Sequence, residues 1–133
     1  MAGEFSVAFV TVPSMHSAKD IARGLVEGRL AACVNIIPNL RSIYIWQGEI
    51  QEDAELLLLI KTRTSRVPDM TEYVKEKHPF DLCEVIATPI ESGNAPYLNW
   101  IGESVPALNP NKNMKNIENQ SDSYNGQNAE IDN

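Results

Sequence analysis

The chain has 133 residues, room for one domain of ordinary size, and its 43% hydrophobic content is enough to bury a core. Its formal net charge of −7 argues against a nucleic-acid partner, since a phosphate-binding surface needs clustered Lys and Arg and no such run occurs. No apolar stretch approaches the ~20 residues of a membrane span, and Cys33 and Cys83, the only cysteines, read as reduced, packed thiols of a cytoplasmic protein.

In chain order, "EFSVAFVTV" alternates in period two, reads as a strand and not a signal peptide, and is ended by Pro13. "SAKDIARGLVEGRL" predicts a helix capped by Ser17, with Ala18, Ile21, Ala22 and Leu25 on one face and Gly28 at its C-terminal end. "AACVNIIP" is a second strand that continues past Pro38 as "RSIYIWQGEI". A turn is expected around "GEIQED", after which "AELLLLIKTR" returns as a third strand. "SRVPDMTEYVKEKH" predicts a second helix, capped by Ser65, with Val67, Met70 and Val74 on one side. "DLCEVIATPIE" reads as a fourth strand and "NAPYLNWIGES" as a short final helix with Asn94 as its cap.

The order β-α-β-β-α-β plus a terminal helix is the ferredoxin-like split plan. Right-handed crossovers then favour an antiparallel sheet in spatial order 4-1-3-2 with both main helices on one face. Several strands are nonetheless apolar on both faces: "LLLLI" puts Leu56, Leu58 and Ile60 on one side and Leu57 and Leu59 on the other. Two helices cover only one face, so the other calls for a second subunit, and an obligate homo-oligomer is expected. The long hairpin carrying Tyr44 and Trp46 points the same way, because a two-stranded ribbon is not stable alone. The ordered domain is expected over residues 1–106. The Asn-rich segment 107–133 shows neither a helical nor a strand period and reads as a disordered tail.

The stretch "KHPFDLCE" at residues 77–84 concentrates His78, Cys83 and Glu84. In the proposed sheet Cys83 and Cys33 lie about 14 Å apart on opposite edges, too far for a disulfide, which needs Cα atoms within ~7 Å. On a strand Cys83 and Glu84 point to opposite faces, so at most one of them joins His78 in one site. Cys83, beside Val85 and Ala87, reads as core, whereas Glu84 falls among apolar neighbours where a charge needs a partner. His78 is either a cation favoured by the helix dipole or, with a carboxylate, part of a copper(II) or zinc site.

The blocks "LVEGRLAACVNIIP", "SIYIWQGEIQED", "LLLLIKTR" and "KHPFDLCEVIATPIESGNAPYLNWI" together resemble the CutA divalent-ion-tolerance family from about Phe5 to Val105. The resemblance implies a ferredoxin-like subunit in a tight homotrimer, a link to tolerance of copper and other divalent ions, and no catalytic activity. It implies His78 and Glu84 as metal residues, and Trp46, Lys61, Tyr97 and Trp100 as residues of a cleft between subunits. Val10 stands where some bacterial members carry a Cys, and the tail has no counterpart in the family. The alternative reading is a trimeric signalling or scaffold protein that takes a small anionic metabolite or a partner protein in that cleft, with Lys61 facing the anion. An enzyme of the acylphosphatase kind is not expected, because "TVPSMHSAK" offers one Lys and no Gly-rich phosphate cradle.

Overall fold

A computed structural model describes residues 3–108, so all but the first two residues of the expected tail lie outside the described residues. The elements run β1 (Phe5–Val12), α1 (Met15–Glu27), β2 (Cys33–Trp46), β3 (Glu49–Arg63), a 3₁₀ turn (Thr64–Arg66), α2 (Val67–Lys77), β4 (Val85–Pro89) and α3 (Ala95–Ser104). The strands form one antiparallel sheet in the order β2-β3-β1-β4, the order expected from the sequence.

The main core lies between the sheet and the first two helices. Ala8, Val10, Val12, Leu58 and Ile60 meet Ile21 and Leu25 of α1 and Met70 and Val74 of α2. α1 is amphipathic as predicted, but its cap is Ser14, whose hydroxyl accepts from the Ser17 amide at 3.1 Å. Its other end closes with Leu30 N–H on the Leu25 carbonyl and Arg29 N–H on the Val26 carbonyl. The left-handed residue of this closure is Arg29 (φ 56°), not Gly28, which stays at φ −81°. α2 has no side-chain cap; a 3₁₀ turn leads into it instead, so Ser65 does not play the expected part.

The opposite face of the sheet is only partly covered. α3 lays Ile101, Val105 and Leu98 over Phe5 at one end. The register aligns Val7 with Lys61 and Thr88, and Phe9 with Leu59 and Ile86, so these side chains share that face beyond α3. Ile86 is 60% exposed there.

Two boundaries differ from the sequence reading. The hairpin turn is the pair Gln47–Gly48, both at positive φ (49° and 81°), which is the type I′ geometry of two-residue hairpins. β3 therefore starts at Glu49, not Ala54, and residues 40–46 pair with 49–55 as a ribbon beyond β1. A bulge between Ile37 and Leu40, with Asn39 at φ 66°, separates this arm from the sheet. β4 is shorter than expected and begins at Val85, so residues 78–84 are irregular backbone. The strand alternation invoked for Cys83 and Glu84 does not apply to them, because the segment is held by His78 and broken by Pro79 rather than paired with β1.

Candidate functional site: an acidic depression under the hairpin arm

α2 ends where the chain must become extended before Pro79: His78, its C-cap residue, sits at φ −70°, ψ 138°. The side chain turns inward and is 8% exposed. Nε2 lies 2.8 Å from the Thr11 carbonyl oxygen, and the Phe80 amide donates to Nδ1 at 3.1 Å. A carbonyl only accepts and an amide only donates, so these partners assign the neutral tautomer with its proton on Nε2. His78 is therefore a buried strap between β1 and the segment after α2, not an imidazolium at a helix end.

Glu84 is exposed, contrary to the apolar surroundings expected for it. It lines, with His78, one depression of about 1290 Å³ between the hairpin arm and residues 78–84. The arm contributes Tyr44, Trp46, Asp53 and Glu55, and the loop adds Asp81. Among the described residues no Lys or Arg lines the depression. Its carboxylates thus set a negative field that attracts cations. Tyr44 donates its hydroxyl proton to Asp53, and that hydrogen bond raises the phenol above its usual value, with desolvation and the Asp53 and Glu55 charges adding to it. Among the described residues no three His, Cys, Asp or Glu side chains already converge on one point. The donor set suits an imidazole- and carboxylate-seeking ion, and its assembly requires movement or further ligands.

The other expected residues lie elsewhere. Lys61 is paired across the strands with Cys33 and donates its ammonium to the Asn35 side-chain carbonyl. The Tyr97 and Trp100 rings pack on α3 with centroids 5.3 Å apart and planes tilted by 41°. The Tyr97 phenol is raised by burial first, then by the charge of Cys33 and a hydrogen bond to it. The expected residues therefore divide within one subunit: Trp46 belongs with His78 and Glu84, while Tyr97 and Trp100 belong to α3, where Tyr97 reaches the Cys33–Lys61 strand pair. Asp53, Glu55 and Asn35 were missed by sequence reasoning. Asp53 sits in "GEIQED", read as a turn, and Glu55 in "AELLLLIKTR", read as a strand; the two-residue loop at Gln47–Gly48 puts both on the arm.

Comparison with known proteins decides the family. Residues 6–104 match the family model described as CutA1 divalent ion tolerance protein. The chain belongs to the CutA1 divalent ion tolerance family. A CutA homolog of Xenopus laevis is 58% identical over 106 residues, which are 80% of this chain and 70% of the frog protein. Protein CutA of Mus musculus is 57% identical over 99 residues, and the chain spans 56% of the mouse protein's length. The structure of the divalent cation tolerance protein of Thermus thermophilus superposes with a TM-score of 0.75 at 53% identity, covering 76% of this chain and 98% of that one. The CutA1 family is described by an ion tolerance, not by a reaction. No helix among the described residues is long and apolar enough to cross a membrane.

Proposed function

We propose that this CutA1 chain is a cytoplasmic homotrimer that binds copper(II) or a related divalent cation weakly and serves tolerance of such ions, without catalysing a reaction. The observation that carries the reading is the depression lined by Asp53, Glu55, Asp81 and Glu84 with no cationic side chain among the described residues. Glu84 and His78 are the proposed ligands. A borderline ion such as copper(II) favours one imidazole and one carboxylate over carboxylates alone, and the remaining positions fall to water or a second copy.

Trimerisation is supported by the apolar surface a single subunit leaves open. Besides the sheet face, the arm exposes Ile45 by 72% and Ile50 by 76%. We place the cleft of Trp46, Lys61, Tyr97 and Trp100 at that boundary, where one copy's arm reaches the α3 end of the next. The cytoplasmic assignment is supported by two unpaired, half-buried cysteines.

Native mass spectrometry during copper(II) titration tests the reading. The expected result is a trimer taking one copper per subunit, with uptake lost in His78→Ala and Glu84→Gln. A trimer that stays empty refutes the cation site, and a monomer refutes the assembly.

A further inference from the structure

We propose that His78 is a latch that sorts cations: an ion that seeks imidazole nitrogen opens the segment after α2, and an ion that seeks only oxygen leaves it shut. The inference rests on the cation reading above and concerns how that site is switched.

Both nitrogens of His78 are engaged. The Nε2 proton points at the Thr11 carbonyl (2.8 Å), and the Nδ1 lone pair accepts the Phe80 amide (3.1 Å). The first bond resembles the outer-sphere hydrogen bond by which metal-binding histidines fix tautomer and ring orientation, leaving the other nitrogen as ligand. Nδ1 is that other nitrogen here, and it faces the 79–84 segment that lines the acidic depression. A ring nitrogen has one lone pair in the ring plane. It cannot bind a metal and accept the Phe80 amide at once.

Binding at Nδ1 therefore releases Phe80, whose ring packs 5.4 Å from the imidazole and is otherwise 51% exposed. The segment it anchors carries Asp81 and Glu84, so release also frees carboxylates to approach the ion. Among the described residues no three potential ligands converge in the latched state. Magnesium and calcium are held by oxygen ligands and have no use for the imidazole. The carboxylates attract them without breaking the Phe80 bond. Zinc and copper(II) accept imidazole and bear the cost of opening. The Thr11 bond is kept in both cases, because Nε2 does not change partner.

The test is nuclear magnetic resonance on the full chain, titrated separately with zinc chloride (a diamagnetic stand-in for copper) and magnesium chloride, with zinc uptake followed by calorimetry. Zinc is expected to speed exchange of the Phe80 amide at least tenfold and to shift the Nδ1 resonance of His78 while Nε2 stays protonated. Magnesium should leave both unchanged. His78→Gln keeps an amide donor where Nε2 stands but has no imidazole; its zinc uptake by calorimetry should be lost. Zinc uptake with the Phe80 amide still protected overturns the latch alone, as does opening by magnesium. No zinc uptake at all overturns the cation reading and the latch with it.

Discussion

At Gly24 the two main helices approach too closely for a side chain: a Cβ there would run into the Tyr73 hydroxyl and ring. Alanine is intrinsically better than glycine inside a helix by about 1 kcal/mol, while overpacking a close contact costs about 1–3 kcal/mol. Tyr73 is half-buried and its ring end can swing outward in part. Gly24→Ala should therefore destabilise the protein by about 1 kcal/mol in urea unfolding and stabilise it by a similar amount in a Tyr73→Ala background. A change of the same sign in both backgrounds would show that Tyr73 is not the obstacle. Tyr97 predicts a pH dependence. Its phenol is raised in the folded chain, mainly by desolvation. The unfolded phenol titrates near its ordinary value of about 10. The neutral form is the one folding favours, so this share of stability is full below that value and is lost as pH rises through the raised folded pKa. Tyr97→Phe should flatten the fall of stability on the alkaline side, measured by unfolding midpoints across that range. None of these contacts was legible in the sequence, because each joins residues that periodicity treats separately.

The arm and α3 show the same limit among elements. Alternation identified β2 and β3, but the turn was read too late by several residues. Gln47 gives no strong signal for a left-handed position, and Gly48 alone does not say which side of it the turn falls. That misreading hid Asp53, and with it the arm on which Glu55 joins the acidic depression. α3 was read correctly as a helix, yet what docks it was not. Arg63 donates from Nε to the Val105 carbonyl at 2.7 Å and from Nη2 to the Gly102 carbonyl at 2.9 Å, and it meets Glu4 at 3.1 Å. Its guanidinium lies over the Phe5 ring, 5.4 Å from the centroid. One planar fork thus satisfies the carbonyl end of α3 and complements its dipole. Arg63→Lys keeps the charge but not the fork. It should cost about 1–3 kcal/mol and speed amide exchange from Ile101 to Val105; unchanged exchange there would mean that apolar packing alone holds the helix.

For the whole molecule, the expectation of a sheet apolar on both faces proved half complete. α3 covers one end of the second face, and the rest stays open around Val7, Phe9, Leu59 and Ile86. Ile45 pairs across the arm with Ile50 and touches little of its own subunit. Ile45→Glu should leave the subunit folded and shift the sedimentation profile from the proposed trimer to monomer. An unchanged trimer would place the arm outside the interface.

The sequence by itself determined the element types, their order, the sheet order and the family, because these follow from local periodicity and the contiguous blocks that carry the resemblance. Only the tertiary structure decided what the chemically interesting residues do. His78 was visible as a candidate ligand, but its partner Thr11 lies 67 residues away, and that contact with the Phe80 amide turns a free imidazole into a strap. Trp46 was grouped with Lys61, Tyr97 and Trp100 in a cleft between subunits; within one subunit the hairpin carries it away from them, into the depression that Glu84 also lines. The physical reason is the same in each case. Period and propensity are properties of neighbours along the chain, whereas a hydrogen-bond partner or a shared cavity is set by register and crossover, where a shift of one residue in a turn changes which side chains meet.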